Sequence, residues 1–231
     1  MQDVIIHKFL WSLGGAHKGK QNNLYSNFYE FVVTPIWLKH EGFEYQPELG
    51  DANYKEHIDI RFWRPGEDKK HSCDVKAPRL GPKGLFVGLN EFTNDICIED
   101  INKNGDPGSL HGKQEWSFYF TFEDFEYYLI GVKQATLKAW VDSLKTSGKV
   151  SSSDCVESMS ERSRKHKDDM YYRWYRTEGD EDSFMFVPYQ DLIESGVVFF
   201  KRNVTEFVHQ AYDQVIANGG KDYLGTFKYE D

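Results

Sequence analysis

The sequence predicts an α/β fold, a sheet with helices packed beside it, and three observations carry the prediction. Ile58-Asp59-Ile60-Arg61-Phe62-Trp63 alternates apolar and polar residues as a half-buried strand does, and Cys73-Asp74-Val75-Lys76-Ala77 follows after a polar turn. Ahead of that pair, Leu24, Phe28, Phe31, Val32 and Ile36 recur at helical spacing. Well after it, Leu137, Trp140, Val141 and Leu144 do the same.

Taken in order, residues 23–40 read as a helix in which Pro35 marks a kink, because proline lacks an N–H and crowds the preceding turn. Strands are expected at 58–64 and 71–77, and the turn-forming stretch 64–70 between them predicts antiparallel pairing. Further strands are expected at 94–102, 116–122 and near 126–132, then a helix over 133–144. From 146 to 169 Ser, Lys, Arg, Asp and Glu displace apolar residues, which predicts a mobile surface insertion. Residues 170–176 and 183–188 then form a hairpin across an acidic turn, and an amphipathic helix over 203–217 stops at Gly219-Gly220. A single domain over 1–231 holds this order.

With 17 Phe, 14 Tyr and 6 Trp in 231 residues, a well-packed core is feasible. No apolar run approaches the ~20 residues of a membrane helix, and Met1 to Lys20 lacks the apolar stretch of a secretory signal. Cys73, Cys97 and Cys155 are odd in number and form no C-x-x-C pair, which fits a reducing cytoplasm and opposes a structural zinc site. Alternation places Cys73 on the core face of its strand. The net charge of -9 opposes nucleic-acid binding unless positive charge is concentrated locally. H-E-x-x-H, G-x-S-x-G, Walker and dinucleotide motifs are all missing, so zinc-hydrolase, serine-hydrolase, P-loop and dehydrogenase chemistry lack support.

The two strands carry the chemistry. Asp74 and Lys76 are two apart and project from one face, and Asp59 shares a face with Arg61. A turn centred in 64–70 sets Asp59 opposite Lys76 and diagonal to Asp74, where neighbours lie about 7–8 Å apart. Two carboxylates at that separation can hold one hard cation such as Mg²⁺. The cation activates water and polarises a phosphoryl oxygen, while a lysine beside it neutralises developing charge. The commoner alternative is a solvated strand face with an incidental ion pair.

Asp59 followed by Asp74-Val75-Lys76 resembles the PD-(D/E)XK nuclease superfamily, with a degenerate I-D-I first element. The likeness extends towards small phage-type members. Ile96-Cys97-Ile98-Glu99-Asp100-Ile101-Asn102 precedes a glycine turn at Gly105–Gly112 and an aromatic strand at Trp116–Phe122, and Phe184–Pro188 follows in the late segment Tyr171–Leu192. Ser109 stands where such proteins carry tryptophan, and Glu115 where they carry aspartate. The resemblance implies a restriction-endonuclease-like core, a mixed sheet flanked by helices, with an irregular insertion and a C-terminal helix. It implies a Mg²⁺- or Mn²⁺-dependent nuclease of the cytoplasm, host cytoplasm if phage-encoded. Asp59 and Asp74 would be the metal ligands and Lys76 the orienting cation. The expected partner is nucleic acid, DNA ahead of RNA, with room for a protein partner or a homodimer. The contrasting reading is an inactive version of the fold, a binding or anti-defence protein that uses its acidic surface.

Several further residues carry two readings each. Glu30 is a helix carboxylate for the metal site or a surface helix residue, the latter being the commoner case. Glu99 reaches the metal or substrate, or is structural. Asn102 ranks below it. Arg162, Arg164 and Lys165 form the densest basic run, a phosphate-contacting patch or a solvated loop, and Arg79 and Lys83 stand in the same position around a turn. His57 is expected on the Asp59 face. Asp100 to Gly105 imitates the start of a calcium loop, but His111 stands where glutamate is required, so a hairpin turn is expected.

Overall fold

A computed structural model describes residues 2–14, 23–80, 92–93, 95–101, 105–124, 126–155, 171–174 and 183–227. Its centre is a six-stranded sheet built from β1 (Glu44–Pro47), β2 (Ile60–Trp63), β3 (His71–Lys76), β7 (Trp116–Glu123), β8 (Glu126–Lys133) and β12 (Val198–Asn203), in that spatial order. Only β3 and β7 run parallel; every other neighbour is antiparallel. The fold is therefore mixed α/β, as expected, with a mostly antiparallel sheet. Between β3 and β7 the chain forms the short pair β4 (Arg79–Leu80) and β5 (Phe92–Thr93), then β6 (Asp95–Ile101). Strand β6 joins β9 (Val150–Cys155), β10 (Tyr171–Trp174) and β11 (Ser183–Pro188) in a second sheet of order β6-β11-β10-β9.

Each face of the main sheet is covered by its own apolar core. Strand β7 sends Phe118, Phe120 and Phe122 to one face and Tyr119 to the other, as a period of two requires. The first face packs against α1 (Gln2–Gly14), α2 (Asn23–Phe28), α3 (Thr34–His40) and α7 (Thr205–Ala217), burying Leu10, Phe28, Trp37 and Val208. The second face packs Tyr119, Ile130 and Val132 against Ile98 and Met185 of the second sheet and against Leu137 and Val141 of α5 (Gln134–Thr146). A short helix α4 (Asp51–Glu56) links β1 to β2, α6 (Tyr189–Glu194) links β11 to β12, and α8 (Lys221–Leu224) follows α7. Among the described residues no helix is long and apolar enough to cross a membrane.

The helix expected over 23–40 is continuous, but Tyr29–Val33 within it winds as a π-helical turn. Pro35 follows at once and explains the widening. It supplies no N–H and would crowd the Phe31 carbonyl in an ordinary turn. Thr34 donates both its backbone N–H and its Oγ1 hydroxyl to the Tyr29 carbonyl, the latter at 2.8 Å. Of the 170–176/183–188 hairpin, β10 and β11 pair antiparallel with Arg173 opposite Met185; residues 170 and 175–182 lie outside the described residues. Val150–Cys155, read from sequence as part of an irregular insertion, pairs parallel to β10. Residues 156–169 of that insertion, including Arg162, Arg164 and Lys165, lie outside the described residues, as do Lys83 and Asn102.

Candidate functional site

The β2–β3 pair sets the site. Ile60 faces Cys73, Arg61 faces Ser72 and Phe62 faces His71. Carried one residue further, that register puts Asp59 level with Asp74, not Lys76. The hairpin turns about Gly66, at φ +84°, one residue earlier than the expected centre, and this shifts every partner by two. Cys73 and Val75 point to the helix-covered core, and Cys73 is fully buried there, as alternation required. Asp74 and Lys76 take the opposite face, in register with Ser117 and Tyr119 of β7.

Asp59 sits one residue before β2, where Asp59 N–H donates to the Cys73 carbonyl at 2.9 Å. Its carboxylate braces the strand ends: Oδ2 accepts the Val75 backbone N–H at 2.5 Å, and Oδ1 accepts Nδ2 of Asn53 at 2.7 Å. Lys76 Nζ donates to Asp74 Oδ1 at 2.7 Å. The Asp74 side chain is 3% exposed, while that of Lys76 remains 34% exposed. Oδ2 of Asp74 is buried without a hydrogen-bond partner, an uncommon state for a carboxylate oxygen. Glu30, on the π-helical turn, is buried and acts electrostatically on both Asp59 and Lys76. The turn that accommodates Pro35 is thus also the one that carries Glu30.

Three carboxyl groups therefore face one ammonium in a water-poor setting. Burial pushes the Asp59 carboxyl well above the usual range, and the charges of Glu30 and Asp74 push it further. Burial pulls the Lys76 ammonium down, but Asp74, Asp59 and Glu30 outweigh it and hold the lysine charged. Among the described residues no three His, Cys, Asp or Glu side chains converge closely enough to cage a metal ion. The chemistry of the donor set nonetheless suits a hard divalent cation. Asp74 Oδ2 needs a partner, the oxygens of Asp59 each keep a lone pair, and excess negative charge awaits compensation. Mg²⁺ is ordinarily held by only one or two carboxylates with water completing its shell.

The structure thus brings Glu30, Asp59, Asp74 and Lys76 within electrostatic reach of one another, and the other described candidates stand on other elements. Glu99 is carried by β6 of the second sheet, against the backbone of Gly108. Arg79 lies on β4, paired in register with Thr93. His57 has φ +55°, which breaks the strand before Asp59, and its Nε2 lies 3.3 Å from the Pro107 carbonyl. Asp100 is bound by His111 at 2.7 Å and Lys145 at 2.9 Å; residues 102–104 of the calcium-like stretch lie outside the described residues.

Asn53 was missed from sequence because α4 is too short to show periodicity. A buried network was also missed. Ser117, the register neighbour of Asp74, donates to Gln134 Oε1 at 2.7 Å. Gln134 Nε2 in turn donates to the Ser109 and Leu110 carbonyls at 2.9 and 2.7 Å. This network pins the 108–112 turn beside the strand that carries the acids. No protein-family model matches this sequence, and no curated protein or solved structure matches it either.

Proposed function

We propose that the chain is a Mg²⁺- or Mn²⁺-dependent nuclease that hydrolyses phosphodiester bonds, with a PD-(D/E)XK-like core. The observation that carries this reading is the buried Asp74 oxygen that has no hydrogen-bond partner, on a carboxylate bound to Lys76 and within electrostatic reach of Asp59, itself in reach of Glu30. The order of elements supports it too: a helix bearing Glu30, an antiparallel pair bearing the acids, then a strand parallel to β3.

Asp74 and Asp59 would hold the cation, with Glu30 as auxiliary. When bound, such an ion polarises a phosphoryl oxygen and makes water more acidic. Lys76, anchored at Asp74 Oδ1 and kept charged by its acidic neighbours, is positioned to balance negative charge gathering on the phosphoryl group. Its partial exposure leaves it open to substrate. Burial and the charges of Glu30 and Asp74 raise the Asp59 carboxyl, so a cation held beside it would favour its ionised form.

The competing reading, an idle member of this fold that binds a basic partner, draws on the net charge of -9 and on the two donors already seated on Asp59. One assay separates them. Wild type, Asp74→Ala and Lys76→Ala are compared with Mg²⁺ or Mn²⁺ on linear duplex, circular single-stranded and branched DNA and on RNA. Metal-dependent cleavage that drops by about 10²-fold or more in both variants is expected, the scale of a lost electrostatic stabiliser. A folded wild type that cuts none of these substrates supports the binding role.

A further inference from the structure

On the opposite face of the main sheet from Asp74, at the other end of β3, lies a cavity of about 210 Å³ lined almost wholly by aromatic rings. Phe62, Phe118 and Trp37 are buried and form its floor. Phe43 stands edge-on to Phe62 at 5.4 Å, and Phe199 edge-on to Trp116 at 5.1 Å, forming its sides. The rim carries a charge of each sign, Glu41 and Arg202.

The chain is shaped to build this cavity. Strand alternation would send Phe199 and Phe200 to opposite faces, yet both line it. A register slip supplies the reason: Val198 pairs with Val132 and Phe200 with Gly131, leaving Phe199 as the extra residue of a bulge. Bulges of this kind re-aim side chains. Phe199 remains 65% exposed, a large apolar ring left facing water at the mouth. Lys133 Nζ stands over both outer rings, 5.0 Å from the Phe199 centroid and 5.6 Å from that of Trp116.

We infer that this cavity binds a nucleobase with its attached phosphate, either a free nucleotide or an unpaired nucleotide of a strand. The size admits one ring system, being below the roughly 300–1,000 Å³ of drug-sized ligand sites. Aromatic walls stack any base through its π-face. Glu41 accepts a hydrogen bond from a base amino or ring N–H group, and Arg202 and Lys133 take the phosphate. An aromatic peptide side chain would fill the apolar part but use neither rim charge. The cavity is separate from the acidic cluster, so the inference does not depend on nuclease activity.

The test is titration of AMP, GMP, CMP and UMP, and separately of a short single-stranded oligonucleotide, into the full chain in EDTA, which keeps phosphate from the acidic cluster. Binding is read by calorimetry and by the fluorescence of Trp37 and Trp116. Saturable binding is expected, weakened about 5- to 150-fold by Phe199→Ala, as for loss of one stacking partner. Arg202→Ala should weaken nucleotides but not the matching nucleosides. Phe199 and Arg202 are exposed, so both variants should keep the wild-type melting temperature. Binding of mononucleotides identifies a free nucleotide as a source; binding of the oligonucleotide alone identifies a strand. No saturable binding by folded wild type, indifference to both variants, or preference for N-acetyl-tyrosinamide over every nucleotide overturns the inference.

Discussion

Asp59 carries a cost that its neighbours impose. Because burial, Glu30 and Asp74 raise its pKa, the folded chain holds a proton there that the unfolded chain releases near about pH 3.9. Stability should therefore fall as pH rises from that value through the folded pKa, and the full penalty applies above it. Asp59→Asn removes the charge, and the new amide still accepts from Val75 N–H while Asn53 reverses its own amide. Without divalent cation at neutral pH this variant should melt higher than wild type, by about 2–4 °C for each kcal/mol recovered, and it should lose the proposed metal-dependent cleavage. A lower melting temperature would show that the hydrogen bonds made by the ionised carboxylate outweigh its charge penalty. Asp100 behaves in the opposite sense. Burial opposes its ionisation, but hydrogen bonds and charge from Lys145 and His111 prevail and hold its pKa below the usual range. Its contribution is present above about pH 3.9 and is lost as pH falls through the folded pKa. Asp100→Asn should cost about 1–3 kcal/mol at neutral pH and flatten the acid limb of a pH–stability curve measured by urea unfolding.

Among the elements, those with a long apolar period were legible. The Leu137, Val141 and Leu144 stripe gave α5 and the alternation at 58–63 gave β2, because both patterns record burial against one face. Ile6, Leu10 and Leu13 show the same spacing in α1, in a segment read only for a secretory signal. Strand β1, four residues ending in proline, and helix α4, of six, are too short to leave a period. The metal-site candidates Asp59, Asp74 and Lys76 stood out because a strand places i and i+2 together. The burial of Glu30 did not, since it depends on a π-helical turn that sequence spacing does not encode. The pairing of β6 with β11 joins segments far apart in the chain, and local pattern says nothing about it. One element-level test concerns Gly131, where the Phe200 ring lies against the backbone and a Cβ would overlap it. Gly131→Ala should cost about 1–3 kcal/mol by overpacking, seen in thermal unfolding, and should weaken nucleotide binding by displacing Phe200. Unchanged stability would mean that the ring yields freely.

At the scale of the whole molecule, the main sheet separates two kinds of chemistry. One face ends in buried acids beside a lysine, and the other in an aromatic cavity with cations at its mouth. A chain of net charge -9 can approach a polyanion only where its negative charge is offset. A divalent cation at Asp59 and Asp74 would supply such a point. The most direct measurement is a Mn²⁺ titration by calorimetry of wild type, Asp74→Asn and Asp59→Asn, with circular dichroism confirming the fold of each. Wild type should show a saturable site, and both variants should lose affinity. Wild-type protein that binds no Mn²⁺ or Mg²⁺, or that binds it equally after either substitution, would contradict this reading.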